Sequence, residues 1–228
     1  NVGTKKGIPQ IRGGADAAAT RYIATRLEDI ALKIFRPEDD DLLEKKLDDG
    51  AGVEPVHYMP ILPMLLVNGA TGIGYGYSTF IPQYNPKDIV KWLKVWIGGG
   101  EDYPTLVPWY RGFSGSIEIK KNAFVTSGKM HIEKNKYHVT ELPVGLWTNS
   151  FKILLEEKFV KAKLLIDFKT YNTENTVHFV LHPSRDFTPD IDTNLKCMHK
   201  SYSMANMVAL DERSVPQKFK TAEDILKI

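Results

Sequence analysis

The chain has 228 residues, of which 43% are hydrophobic and 25% charged, a composition typical of a globular protein with a buried core rather than a disordered or collagen-like chain. No apolar run approaches the roughly 18 residues of a membrane span, and the polar, basic residues 1–14 do not resemble a signal peptide. The single cysteine, Cys197, excludes a disulfide framework and favours a reducing intracellular compartment.

The net charge of +2 is too small to indicate nucleic-acid binding, but the charge is unevenly distributed. Residues 1–36 contain seven basic and three acidic side chains, whereas residues 37–49 contain two basic and seven acidic ones. This asymmetry is expected if one face meets a polyanion. The simpler interpretation is two solvated surfaces of opposite sign.

The first third of the chain predicts a glycine-rich loop followed by a long helix. We expect the helix from Ala17 to Phe35, with Asp16 as N-cap, because four aliphatic residues recur at helical spacing. They are Ile23, Leu27, Ile30 and Ile34. Pro37 ends this helix. The apolar segment Tyr58–Val67 is interrupted by two prolines, so a buried extended segment is expected.

The rest of the chain predicts a mixed α/β arrangement. A helix over Lys87–Ile97 begins after Asn85-Pro86 and ends at three glycines. Period-two alternation predicts four strands, Ser116–Ile119, Ala123–Val125, Met130–Glu133 and Tyr137–Thr140. Further elements are a helix near Thr148–Glu157, strands at Thr176–Leu181 and Met204–Leu210, and the start of a helix at Thr221–Ile228. The predicted fold class is α+β.

Four glycines fall within Gly69–Gly76. The stretch lacks the Gly-Lys-Ser/Thr ending of a phosphate-binding loop, which argues against nucleotide binding. Ile73 stands between Gly72 and Gly74, where the backbone can approach a partner closely while one aliphatic side chain projects. The alternative is a tight turn in the core.

No metal site is predicted in this chain. The acidic clusters Glu38–Asp41 and Asp190/Asp192 lack the turn pattern of a calcium loop and are interpreted as solvated surface. The six histidines show no His-x-x-x-His or comparable spacing, which argues against zinc.

Arg21-Tyr22 is a candidate for nucleophilic chemistry. Free tyrosine is a poor nucleophile because its pKa is about 10. A neighbouring guanidinium favours a phenolate and neutralises an attacked phosphate, and the surrounding small residues leave room for a nucleic-acid backbone. The alternative for any one tyrosine is packing or surface contact.

The segment Arg12–Thr25 resembles the catalytic-tyrosine segment of type IIA DNA topoisomerases. The resemblance continues in the family's order through Val53–Pro55, Tyr58–Pro63, Val67–Gly74, Thr140–Pro143, Trp147-Thr148, Asn206–Val208 and Thr221–Leu226. The Gly72-Ile73-Gly74 context is similar to the eukaryotic-type enzymes, and a large DNA virus is an alternative source to a cell. Ala15, and Ala19-Thr20, depart from the lysine and the Ser-Pro pair of many family members.

This resemblance implies three domain pieces. They are the late part of a winged-helix domain (1–61), a mixed α/β tower domain (62–214) and the start of a coiled-coil arm (215–228). It also implies that Tyr22 attacks a DNA phosphodiester to give a 5′-phosphotyrosyl link, and that Arg21 stabilises the transition state. Ile73 resembles the wedge that bends the gate DNA.

The resemblance further implies phosphate or DNA contacts for seven residues: Arg12, Lys5, Lys6, Lys196, Lys200, Ser201 and Asn206. The expected activity is ATP-dependent strand passage by a homodimer acting on double-stranded DNA, with Mg²⁺ and ATP bound by domains outside this fragment. The fragment alone is expected to cleave nothing. The expected location is the nucleus, or the host-cell cytoplasm at replication sites if the source is viral.

Two other functions are consistent with the same residues. In a non-catalytic DNA-bending module, Ile73 would act and Tyr22 would only pack. A different tyrosine-nucleophile enzyme, such as a recombinase, would need several separated basic and histidine residues, and no such set is evident.

Overall fold

The computed structural model describes residues 20–22, 24, 26–185, 198–211 and 213–227. These residues fall into two compact units. The first contains Tyr110–Ser203 and the described residues before Arg26, and the second contains Arg26–Trp109 and the described residues from Met204 onward. The two units do not follow the predicted domain boundaries at 61/62 and 214/215. Those boundaries stay a prediction.

The helices are α1 (Ala31–Ile34), α2 (Met64–Asn68), α3 (Pro86–Ile97), α4 (Thr148–Leu154) and α5 (Ala222–Leu226). The strands are β1 (Lys45–Asp48), β2 (Ala51–Pro55), β3 (Ala70–Ile73), β4 (Ser78–Ile81), β5 (Ser116–Lys120), β6 (Ala123–Ser127), β7 (Lys129–Glu133), β8 (Lys136–Glu141), β9 (Leu165–Thr170), β10 (Phe179–Pro183), β11 (His199–Ser203), β12 (Met207–Leu210) and β13 (Pro216–Phe219). Short 3₁₀ turns occupy Thr20–Tyr22 and Pro37–Leu42, and the π-helical segment Leu155–Val160 extends α4. The predicted α+β class is confirmed.

The first unit is built around a four-stranded antiparallel sheet in the order β7-β8-β10-β9. Strand β8 alternates between exposed and buried positions, so it presents Tyr137 and Val139 to the core. Phe151 of α4 and Phe179 of β10 are fully buried in the same core and meet edge to face with ring centroids 5.0 Å apart. The helical segment α4 thus covers the apolar side of this sheet.

A second sheet of the first unit has the order β11-β6-β5. Near it the carboxylate of Glu141 is buried, with 2% of the residue exposed. It accepts hydrogen bonds from the backbone N–H and hydroxyl of Ser114 at 3.0 and 3.2 Å and from the N–H of Leu142 at 3.0 Å. These donors compensate the cost of burying the charge.

The core of the second unit lies around α3. Asn85 caps this helix by accepting a hydrogen bond from the N–H of Lys87 at 3.0 Å, and Pro86 occupies its first turn. Ile89 and Trp92 of α3 are buried with Leu66 and Ile81. The helix predicted over Lys87–Ile97 is therefore confirmed. Across the described ranges, no helix combines the length and hydrophobicity that crossing a bilayer requires.

The predicted helix from Ala17 to Phe35 is wrong in its described part. Residues 26–28 are not helical, and α1 comprises only four residues. Leu27 and Ile30 are 82% and 62% exposed, so the apolar stripe is not buried against a core. A short helix without such packing is marginal in water. Residues 17–19, 23 and 25 lie outside the described part.

The segment Tyr58–Val67 also differs from the prediction of a buried extended segment. Tyr58, Met59 and Ile61 are more than half exposed, and α2 begins directly after Pro63. Proline is tolerated at the start of a helix, because the N–H groups of the first turn have no partner within the helix. Pro63 therefore precedes a helical turn that buries Leu66 completely.

Candidate nucleic-acid interface

Tyr22 lies at the end of the 3₁₀ turn Thr20–Tyr22 and is 73% exposed. The guanidinium carbon of Arg21 lies 4.9 Å from the centroid of its ring, within the range of a cation–π contact. The phenol is therefore accessible from solvent and has a permanent positive charge beside it. Packing in the core, one alternative for this tyrosine, does not occur.

Ile73 ends strand β3 and is 96% exposed. It pairs with Ser78 across the β3–β4 hairpin, where the register runs Ala70↔Ile81 to Ile73↔Ser78. The alternative of a tight core turn at Ile73 is excluded by this exposure. The large aliphatic side chain of Ile73 thus projects into solvent near the tip of a hairpin. There it can contact another molecule.

The hairpin tip depends on glycine at two positions. The N–H of Gly74 donates to the carbonyl of Tyr77 at 2.7 Å, and a Cβ on Gly74 would lie 2.7 Å from the Tyr77 ring. Gly76 has a φ of +79°, a backbone conformation that residues with a Cβ atom rarely adopt. Gly72, by contrast, has open space where a Cβ would stand.

The base of the hairpin is held by the strand β12 region. The hydroxyl of Thr79 donates to the carbonyl of Val208 at 2.7 Å and accepts from the N–H of Val208 at 3.0 Å. The N–H of Phe80 donates to the carbonyl of Asn206 at 3.0 Å. Residues far apart in the chain thus fix the direction of the strand pair that ends at Ile73.

Asn206, a predicted DNA-contacting residue, binds the strand that pairs with Ile73. Its side-chain amide donates to the backbone carbonyl of Ser78 and, at 2.9 Å, to the Ser78 hydroxyl. In this arrangement the amide supports the hairpin. A direct contact of Asn206 with DNA stays a prediction.

Lys200 and Ser201 lie on the exposed part of β11, where Ser201 pairs with Val125. The ammonium of Lys200 donates to the carbonyl of Gly145 at 3.1 Å and lies 5.2 Å from the ring centroid of Tyr202. Their contacts with DNA stay predictions. Arg12, Lys5, Lys6 and Lys196 lie outside the described residues, as do Asp190 and Asp192.

Tyr75, which was not singled out from the sequence, is fully exposed on the same hairpin as Ile73. It stands between Gly74 and Gly76, so the flanking-glycine pattern that marked Ile73 marks Tyr75 equally well. Ser78 and Thr79 were also missed, because their roles depend on partners about 130 positions later in the chain.

The described residues do not provide a magnesium site. Glu38, in the acidic cluster, binds Arg36 through two hydrogen bonds of 3.0 and 2.8 Å, and these lower the pKa of its carboxyl to about 2. Within the described ranges, the only group of three or more close metal-binding side chains consists of His131, Glu133 and His138. Two imidazoles do not suit Mg²⁺, which prefers oxygen ligands.

The sequence profile of the A-type subunit of DNA gyrase and topoisomerase IV matches residues 7–228. A protein with this fold and these candidate residues belongs to the class of type II DNA topoisomerases. More particularly, it belongs to the DNA gyrase/topoisomerase IV family that this profile describes.

Its relatives include eukaryotic enzymes, as the resemblance predicted. The chain is 36% identical over 223 residues to the mitochondrial DNA topoisomerase 2 of Dictyostelium discoideum, covering 95% of this chain and 17% of the relative. It is 39% identical over 229 residues to the DNA topoisomerase 2 of Penicillium chrysogenum, covering 96% and 14%. The chain therefore spans about a sixth of the length of these relatives.

The fold is similar to the crystal structure of the Plasmodium falciparum topoisomerase II DNA-binding, cleavage and re-ligation domain, with a TM-score of 0.83 at 33% identity. The similarity covers all of this chain and 31% of that one. The chain thus corresponds to the breakage-reunion region of the family.

Proposed function

We propose that this chain is part of an ATP-dependent type II DNA topoisomerase and that Tyr22 is the nucleophile of its transient double-strand break. The observation that carries the proposal is the solvent-exposed Tyr22 ring with the guanidinium of Arg21 4.9 Å from its centroid. Membership of the family supports the same assignment.

In the proposed reaction the phenol oxygen of Tyr22 attacks a DNA phosphorus. A tyrosyl–phosphate bond forms, and the 3′ oxygen of the preceding nucleotide leaves with its electron pair. The phenol loses its proton, and the leaving oxygen gains one. Since one phosphate ester replaces another, the bond energy is retained and the 3′ hydroxyl can reverse the step.

Arg21 is proposed to stabilise the transition state of this exchange. The attacked phosphorus gathers negative charge on its equatorial oxygens, and a guanidinium presents several fixed N–H donors to such oxygens. Arg21 is adjacent to Tyr22 in the chain and already lies against its ring.

Ile73 is proposed to insert between base pairs of the cleaved duplex and bend it. Apolar wedges of this kind unstack one step and kink the duplex. Ile73 is 96% exposed on a hairpin fixed at its base by Thr79 and Asn206. Because the hairpin is already held in place, inserting Ile73 costs little conformational entropy, and more of the binding free energy is available to bend the DNA.

Type II topoisomerases use Mg²⁺ and ATP. The described residues fit neither group: the glycine-rich stretch forms a β-hairpin, and no oxygen-rich metal site is formed among them. We propose that Mg²⁺ and ATP bind to other parts of the enzyme. We also propose that the enzyme is a homodimer that acts on double-stranded DNA. A nuclear enzyme, or a viral one working at replication sites in the host cytoplasm, is the proposed setting.

A non-catalytic DNA-bending module is the second candidate function. The exposure of Ile73 supports a bending module as well as it supports a topoisomerase, because bending DNA needs no nucleophile. The two candidates differ in Tyr22 alone.

The test is to denature the full-length enzyme with its DNA during turnover and to quantify DNA that stays attached to protein. We expect attachment in the wild type and in Tyr75→Phe, which changes a fully exposed tyrosine, and none in Tyr22→Phe. Undiminished attachment in Tyr22→Phe would reject the proposed nucleophile, and absence of attachment in the wild type would favour the bending module.

A further inference from the structure

Three histidines line one side of the four-stranded sheet in the first unit. His131 of β7 and His138 of β8 are directly paired in the register, and their rings stack with centroids 5.1 Å apart. Glu133 is two residues beyond His131 and so lies on the same face of β7. Antiparallel pairing thus joins two imidazoles that are seven positions apart in the sequence.

The donor atoms of His131, Glu133 and His138 all lie within 4.8 Å of one another. A tetrahedral zinc ion with bonds of about 2.0–2.2 Å holds its ligand atoms about 3.3–3.6 Å from each other. His131 and Glu133 are exposed, so their side chains have room to turn toward His138. His138 is half-buried and is the most fixed of the three.

The ring of His138 has a partner on its other side. Its Nδ1 lies 3.1 Å from Nε2 of His178, which leaves Nε2 of His138 for an ion. The ring of His178 lies against that of Tyr171, and its backbone N–H donates to Asn172 at 2.7 Å. Imidazoles that bind zinc usually donate their second N–H to a carboxylate, a backbone carbonyl or water, which fixes the ring. Here the ring nitrogen of His178 takes the place of such a partner.

We propose that His131, Glu133 and His138 bind one zinc ion, with water completing the coordination, and that His178 orients His138. Two imidazoles and one carboxylate suit zinc and related transition metals, not magnesium or calcium. The ion would tie the edge strand β7 to β8.

The nearby lysines do not prevent binding. The ammonium of Lys134 lies 4.0 Å from Glu133, and Lys136 is paired with Glu133 across the hairpin. Both side chains are exposed, and an exposed ion pair is weak enough for zinc to displace.

The experiment is a zinc titration of the 228-residue chain by calorimetry, repeated with cobalt to record the visible spectrum of the bound ion. We expect one ion per chain and the intense cobalt bands of a four-coordinate site. His131→Ala and Glu133→Gln should abolish this binding, and His178→Ala should weaken it by about tenfold or more. Circular dichroism of the metal-free variants checks that each is folded.

Control variants that remove other potential zinc ligands test whether the ion binds at this site. His57→Ala removes an exposed histidine of the second unit and should leave binding unchanged, as should Cys197→Ser, which removes the only thiol. The proposal is overturned if the wild type binds no zinc, or if undiminished binding survives in either His131→Ala or Glu133→Gln.

Discussion

The side-chain amide of Asn206 donates hydrogen bonds to the carbonyl and hydroxyl of Ser78, the residue paired with Ile73 across the β3–β4 hairpin. The two partners are 128 positions apart in the chain. Two segments that resemble the type II topoisomerase pattern, Gly72–Gly74 and Asn206–Val208, are therefore parts of one local structure. One presents the exposed aliphatic side chain, and the other holds its strand in place.

Asn206→Ala should weaken DNA bending without unfolding the chain. The substitution removes two hydrogen bonds to Ser78, the residue paired with Ile73, each worth about 1 kcal/mol of stability. Bending is measured by energy transfer between dyes at the ends of a short duplex bound to the full-length enzyme. Asn149→Ala, at an exposed asparagine on α4, is the control. Equal bending by Asn206→Ala and wild type would show that this support is dispensable.

Ile73→Ala should reduce the same bend more strongly, because it removes the proposed wedge itself. Ile97→Ala truncates another isoleucine, 80% exposed at the end of α3, and should leave the bend unchanged. An unaltered energy-transfer signal for Ile73→Ala would reject insertion of this side chain between base pairs.

Gly74→Ala should displace the Tyr77 ring at the hairpin tip, whereas Gly72→Ala should not. The new methyl group would lie 2.7 Å from the ring of Tyr77 in the first variant and in open space in the second. We expect reduced DNA bending only for Gly74→Ala, with little change in the unfolding free energy of either variant. Equal behaviour of the two variants would contradict this account of the tip.

The candidate residues were selected from the sequence, and their roles stay predictions. The flanking glycines indicated that the side chain of Ile73 projects, which agrees with its exposure, and the resemblance to the family indicated Arg21 and Tyr22. What local sequence could not provide was the partner of each residue. The link from Asn206 to Ser78, and the pairing of His131 with His138, depend on strand register.

The fold was predictable where packing agrees with local pattern. The helix predicted over Lys87–Ile97 has its buried face within the segment, and its cap Asn85 and its glycine stop Gly98 lie next to it in the chain. The helix predicted over Ala17–Phe35 had the periodicity but not the buried face, since Leu27 and Ile30 are exposed. Periodicity predicts a face that is able to pack, and tertiary contacts decide whether the helix forms.

Glu141→Ala should destabilise the first unit by about 3 kcal/mol or more. The buried carboxylate accepts hydrogen bonds from Ser114 and Leu142, and its loss leaves these donors without that acceptor. Urea unfolding of the chain measures the change. Glu118→Ala, at an exposed position of β5, should change stability by no more than about 0.5 kcal/mol. Similar losses in the two variants would contradict the role of Glu141.

The stability of the chain should fall at high pH, in part through Tyr202. Burial raises the pKa of Tyr202 to about 12, and its hydroxyl donates to the carbonyl of Val144. Because the folded-state pKa lies above that of a free tyrosine, the contribution is complete below about pH 10 and is lost as the pH rises to 12. Burial raises the pKa of Tyr84 in the same direction.

Tyr202→Phe should therefore show a smaller loss of unfolding free energy between pH 10 and 12 than the wild type, as measured by urea unfolding at each pH. The remaining loss in this variant includes the contribution of Tyr84. An identical pH dependence in wild type and Tyr202→Phe would show that Tyr202 does not titrate in this range.

The central proposal, covalent attack by Tyr22, is tested most directly by locating the bond. DNA trapped on the denatured full-length enzyme is digested to a short nucleotide, the protein is cleaved with trypsin, and the modified peptide is sequenced by mass spectrometry. We predict a nucleotide joined through its 5′ phosphate to the tyrosine of the peptide Tyr22–Arg26. A nucleotide on any other residue, or one joined through its 3′ phosphate, would contradict the account.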